Sequence, residues 1–178
     1  MTMIELAVAM PIVLIALFVF AQILGSGVNL RQVGSDEWAS SSAAQDALER
    51  IRNESFEELF VLFNEDPFDD PLGPGTAPGN RFAVSGLTPL PGVADGMIGE
   101  IVLPLVDVGT EVAPEWQVRE DLVDPVLGMP RDLNGDSIVD DADHVADYTI
   151  LPVLVRLRWK GKHGPREFEL YTVLSEFR

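Results

Sequence analysis

Five side chains with oxygen ligands stand in phase over a twelve-residue stretch: Asp132, Asn134, Asp136, Asp140 and Asp143 occupy its positions 1, 3, 5, 9 and 12. The backbone carbonyl of Ile138 falls at position 7. A hard cation such as Ca²⁺ gathers about six to eight oxygens, and this spacing offers most of them from one turn of chain. Val139, at position 8, is apolar, whereas position 6 is Ser137. Glycine suits the positive φ expected at position 6, so Ser137 should strain the loop or weaken the ion without abolishing its binding. The alternative is an ion-free acidic turn, because Asp and Asn favour turns on their own account. One such loop with no strongly apolar helix after it cannot make the paired opening of a sensor, so a bound ion would be structural.

Glu5 is the second residue with chemistry to explain. From Leu6 to Leu30 there is no charged side chain, and Glu5 sits at the lip of that run. An apolar stretch of about 20 residues reads as a membrane span. A carboxylate beside hydrocarbon is costly without a partner charge, which favours assembly with other copies over a plain anchor. The alternative is that Glu5 reaches the lipid headgroups. No basic residue precedes the run and Arg31 is the first one, so the start MTMIE reads as a mature product or a chain whose leader has been removed.

Two resemblances follow from these residues. The stretch Asp132–Asp143 resembles the Ca²⁺ loop of EF-hands, and more closely the dockerin kind, which carries Asp at position twelve; Ser137 is its departure. The start MTMIELAVAM resembles processed type IV pilins and pseudopilins. Ile4, Glu5, Leu6, Ala7, Val8, Ala9, Met10 and Pro11, followed by Ile12 to Phe20, resemble the TadE-like (tight adherence) branch, over roughly residues 1 to 60. Met1 stands where type IV pilins commonly have Phe. The pilin resemblance implies cleavage by a prepilin peptidase, residence in the inner membrane before assembly, pilus assembly machinery, and a homo-oligomeric helical filament at the cell surface. It also implies that Glu5 of one copy pairs with the Met1 amine of the next, a head-to-tail contact of the sort that builds open helical polymers. Two alternatives stand beside the filament subunit. One is a single-pass anchored exterior domain that binds a partner; the other is a minor pseudopilin that primes a pilus or secretion machine.

The elements that must position these residues give an α+β fold: a long, protruding N-terminal helix packed on a small antiparallel sheet. Residues 1–30 form the apolar filament-core part of the helix, with Pro11 expected to kink it. Gly25, Gly27 and Gly34 are expected to bend or melt the stretch between 25 and 35. Residues 31–63 continue as an amphipathic helix, with Trp38, Ala44, Leu48, Ile51, Leu59 and Leu62 or Phe63 on the packing face. Residues 64–80 are a Pro/Gly-rich connector, whose Glu65, Asp66, Asp69 and Asp70 read as solvated loop rather than a cation site. Residues 81–178 form a β-rich domain with strand signals at Phe82–Leu87, Ile98–Val108 and Trp116–Arg119, the second of them an edge or interrupted strand because of Pro104. A hairpin over 150–176 closes the chain. Setting Lys160 opposite Pro165 places Leu157 by Phe168 and Val155 by Leu170 on one face, with Arg158 by Glu167 and Arg156 by Glu169 on the other.

Charge and composition exclude several classes. Asp and Glu number 29 against 12 Lys and Arg, a formal net charge of −17, which is wrong for binding nucleic acid. There are no cysteines, no phosphate-binding glycine loop and no nucleophile elbow, so the chain does not read as an enzyme. His144 and His163 read as surface residues. The sequon Asn53-Glu54-Ser55 reads as lying within the helix.

Overall fold

The computed structural model describes residues 3–93, 95–110 and 114–176, and gives no side chains for 4–6 and 24–30. The fold is α+β, with two antiparallel sheets. The chain divides into two compact units, Met1–Trp38 and Ala39–Arg178. Helix α1 spans Met3–Asn53 with Pro11 inside it, and the chain is still helical at Gly34, so the stretch is not melted there. Gly25 and Gly27 fall outside the described side chains, as do Met1 and the Glu5 side chain.

In the first unit, Val8, Met10, Ile12, Leu14, Phe18 and Ile23 are all solvent-exposed, which leaves an apolar surface all round that segment. Among the described residues, no helix is long and apolar enough to cross a membrane. The span read over 1–30 rests partly on 4–6 and 24–30, outside the described side chains.

The second unit is built around strand β5 (Ile150–Gly161). With β1 (Arg81–Phe82), β2 (Gly99–Val102) and β6 (Gly164–Ser175), it makes a four-stranded sheet in the order β1-β2-β5-β6. The hairpin takes the register read from the sequence: Lys160 faces Pro165, Leu157 faces Phe168, Val155 faces Leu170, Arg158 faces Glu167 and Arg156 faces Glu169. Arg156 meets Glu169 at 2.7 Å and Arg158 meets Glu167 at 3.2 Å, so the polar face is held by cross-strand ion pairs. Leu151, Val153, Leu154, Val155 and Leu157 are fully buried, so β5 is a central strand covered on both faces at its first half. Pro152 is tolerated there because it lies beyond Leu154, the outermost residue that β2 pairs with. Pro104 interrupts the second strand signal as expected. The chain leaves β2 at Val102 and re-enters as β3 (Leu105–Asp107), which pairs with β4 (Trp116–Val118) in a separate sheet.

From Ala39 onward, α1 contributes Ala44, Ala47, Leu48 and Ile51 to the same core as β5. Trp38 does not join them and is 75% exposed. At about 100° per residue it points roughly 140° away from the centre of that stripe, so apolar character misplaced it where helical phase does not. The amphipathic helix also ends earlier than its pattern suggested. Asn53 closes α1, Ser55 is extended with ψ 131°, and a 3₁₀ turn at Phe56–Glu58 leads into α2 (Leu59–Phe63). Asn and Ser compete with helical hydrogen bonding through their own side chains. The break lets Leu59, Phe60 and Phe63 turn into the core. It also places the Asn53 sequon at the end of the helix and not within it. Between α2 and β1 the connector is organised by its own polar groups. Asn64 Nδ2 donates to Asp69 Oδ2 at 2.6 Å, and Asp70 Oδ2 accepts from the amides of Thr76 and Ala77.

Gly99 is where helix and sheet are tied most closely. The Phe82 ring lies on the Gly99 backbone with no room for a Cβ, and the Arg50 guanidinium covers that ring at 5.5 Å from its centre. Gly99→Ala must push the ring off the strand and away from Arg50. Overpacking of this kind costs about 1–3 kcal/mol. Urea unfolding of the full chain in detergent should therefore show a lower midpoint for Gly99→Ala, and an unchanged midpoint would refute this packing.

Candidate metal centre

The acidic segment is anchored to the second sheet and to the start of β5. His144 donates its backbone N–H to the Val118 carbonyl, and Asp143 Oδ1 accepts from the Val118 amide at 3.3 Å, so residues 143–144 lie along β4. The amides of Thr149 and Ile150 both donate to the Leu133 carbonyl, which fixes the start of the loop against the start of β5. Glu120, two residues beyond β4, is fully buried. Its Oε1 accepts the Leu133 amide at 2.5 Å and the Asn134 amide at 3.3 Å. A buried carboxylate thus closes the backbone of the loop.

Around that carboxylate lies a convergent group. His144, 4% exposed, brings Nε2 to 3.1 Å from Asp140 Oδ1 and 3.7 Å from Glu120 Oε2. On the other side of the ring, Nδ1 lies 3.1 Å from Asp147 Oδ1. Ligand atoms from Glu120, Asp140 and His144 all lie within 4.8 Å of one another, and among the described residues these three form the group able to hold a metal ion. Glu120 Oε2 is buried with no hydrogen-bond partner. Burial by itself pushes the His144 imidazolium down. Its bonds to Asp140 and Asp147 and the Glu120 charge outweigh that and raise it above its ordinary value. Asp140 is held below the usual carboxylate range by the Ala142 amide first and by His144 second.

The residues expected to bind Ca²⁺ are only partly drawn together. Asp140 belongs to the group just described. Asp132 curls over its own loop, Oδ1 accepting the Gly135 amide and Oδ2 accepting the Ser137 amide at 2.7 Å. Asn134 Oδ1 takes the Asp136 amide and Asp136 Oδ1 takes the Ile138 amide. Asp143 turns toward Val118 and Val145. Ser137 has φ 70°, the left-handed conformation that made glycine the expected residue there.

His144 corrects the sequence reading, which placed it at the surface. Its neighbours Val145 and Tyr148 pack against the core, and they draw the ring inside with its charges. Glu120 was not visible in the sequence at all. The only local trace was the pair of acids at spacing −4 and +3 from His144, Asp140 and Asp147. No family model, curated protein or solved structure matches this chain.

The segment continues into Tyr148, whose hydroxyl donates to the Phe56 carbonyl at 2.7 Å, with its ring 5.0 Å from that of Phe56. Burial pushes the Tyr148 phenol from 10.0 up to about 12. The neutral phenol is the form the fold prefers, so this contribution to stability is complete below the unfolded value and is lost as pH rises through about 12. Tyr148→Phe should flatten the fall in unfolding free energy across that alkaline window. Absorbance titration near the tyrosinate band should show Tyr148 ionising only toward about 12; ionisation near the ordinary value would contradict its burial.

Proposed function

We propose that the chain is the structural subunit of an extracellular, type IV pilus-like filament, polymerising through its N-terminal helix. The observation that carries this reading is the first unit, a helical segment whose large apolar side chains are exposed in every direction. Water does not tolerate such a surface unless something covers it. The TadE-like pattern from Ile4 to Pro11 and the single acid at Glu5 point to equivalent helices of neighbouring copies as the cover. In that packing Glu5 of one copy is neutralised by the Met1 amine of the next. A buried carboxylate without such a partner would cost several kcal/mol, about 3–5 for a broken buried pair. With a net charge of −17, the exterior units repel one another, which leaves the uncharged helices as the source of cohesion. Before assembly the same helix would rest in the inner membrane, and the assembled fibre would stand at the cell surface.

Replacing Glu5 by Gln keeps shape and removes charge. Electron microscopy of purified chains and of cell-surface material is expected to show fewer and shorter filaments for Glu5→Gln while the monomer yield in detergent stays level. Fibres of normal length and order would overturn the reading in favour of a lipid-anchored exterior domain.

We further infer a structural Ca²⁺ in the loop Asp132–Asp143, supported by its five in-phase oxygen side chains and by Ser137, whose φ of 70° is the turn expected at the loop's sixth position. Asp132, Asn134, Asp136, the Ile138 carbonyl, Asp140 and Asp143 would supply its oxygens. Ca²⁺ added to metal-stripped full chain in detergent should raise the thermal midpoint, and Asp132→Asn should remove that rise. A midpoint indifferent to Ca²⁺ would count against the ion.

A further inference from the structure

The group formed by Glu120, Asp140 and His144 is a different kind of site from an oxygen-lined loop. We propose that it binds a divalent transition ion of the zinc class through Glu120 Oε2, Asp140 Oδ1 and His144 Nε2, and that this ion fastens the acidic loop to β4. The inference does not rest on the filament reading.

Three observations carry it. The first is spacing. Zinc bound to nitrogen and carboxylate oxygen at about 2.0–2.2 Å in a tetrahedron sets its ligands about 3.4 Å apart. The two separations from His144 Nε2, 3.1 Å to Asp140 and 3.7 Å to Glu120, lie on either side of that value. The second is the orphaned atom. Glu120 is fully buried, its Oε1 is used by the Leu133 and Asn134 amides, and its Oε2 faces His144 with no hydrogen-bond partner. A buried carboxylate oxygen left without a partner is destabilising. A proton on Nε2 would satisfy Asp140, yet 3.7 Å leaves Glu120 Oε2 beyond hydrogen-bond reach. A cation between the three atoms satisfies all of them at once. The third is Asp147. Its Oδ1, 3.1 Å from His144 Nδ1, can only accept, so Nδ1 carries hydrogen, and Nε2, facing the two carboxylates, is the nitrogen left to ligate once a metal displaces its proton. A carboxylate behind a ligating histidine is the usual support of such centres.

The donor set also decides the class of ion. One imidazole with two carboxylates suits zinc and its neighbours, whereas Ca²⁺ and Mg²⁺ seek all-oxygen shells. The chain supplies three ligands and leaves the rest of the shell to water. Glu120 would reach the ion from beyond β4 and Asp140 from the acidic loop, so metal would close a bridge between segments that are also joined by the His144–Val118 and Arg131–Glu120 backbone hydrogen bonds and by the Glu120 carboxylate on the Leu133 and Asn134 amides.

The test is calorimetric titration of metal-stripped full chain in detergent with Zn²⁺ and, separately, with Ca²⁺. One equivalent of Zn²⁺ should bind, His144→Gln and Glu120→Gln should each weaken it about a hundredfold, and Asp147→Asn should weaken it by roughly tenfold. Asp132→Asn should leave Zn²⁺ affinity within about threefold while removing Ca²⁺ binding; Asp140 is common to both ligand sets, so the two ions are told apart by Asp132→Asn and His144→Gln, each of which removes a ligand of one ion alone. Because Glu120 also holds the loop backbone, the wild-type chain loaded with Co²⁺ supplies a readout free of variants: visible d–d bands and X-ray absorption with one imidazole in the first shell are expected. A first shell of oxygen alone, Zn²⁺ affinity unchanged in His144→Gln, or no Zn²⁺ binding would each overturn the proposal.

Discussion

The second unit depends on the burial of β5 from both sides. Leu151, Val153, Leu154, Val155 and Leu157 are without solvent contact, and every other part of the unit is arranged to keep them so. β2 and β6 satisfy the two edges of the strand, and the stripe Ala44, Ala47, Leu48 and Ile51 joins its side chains in one core. Because side chains alternate between faces along a strand, a strand covered on both sides cannot slip by one residue without exchanging ion pairs for apolar pairs. The Arg156–Glu169 and Arg158–Glu167 pairs fix that register at the half of the strand nearer the turn. These partly exposed pairs add little to stability and much to specificity.

The acidic segment shows the reverse economy. It contains almost no apolar side chain to drive it into place, and its exposed Ile138 and Val139 do not help. What holds it is polar bonding directed inward: the Glu120 carboxylate on two backbone amides, Asp143 on Val118, and the Leu133 carbonyl shared by Thr149 and Ile150. Leu133, fully buried, is the one apolar peg. Carboxylates gathered this closely repel one another, and the His144 ring between Asp140, Asp147 and Glu120 offsets part of that repulsion.

The two units answer to different solvents. The second encloses a core of apolar side chains, although Phe68, Leu72 and Val123 stay exposed. The segment from Val8 to Ile23 encloses none of its own. Water does not tolerate such a surface unless something covers it. The acidic loop belongs to the second unit, which is held together without a disulfide.

What the sequence determined by itself was whatever depends on near neighbours and strict period. The hairpin register was legible because alternation and charge complementarity agree over Val153–Leu170, and Pro104 ended a strand because a missing N–H is a local fact. The left-handed turn at Ser137 was legible for the same reason. Tertiary structure decided the rest. Trp38 proved exposed because helical phase, and not apolarity, selects a face. The helix stopped at Asn53 because Leu59, Phe60 and Phe63 gain more from turning into the core than from continuing it. His144 went inside, and Glu120 came to meet it from beyond β4, a convergence of residues 24 positions apart that no local spacing encodes. The chemistry of the loop's own oxygens was written in order along the chain; the chemistry of the buried imidazole exists only where two distant segments are pressed together.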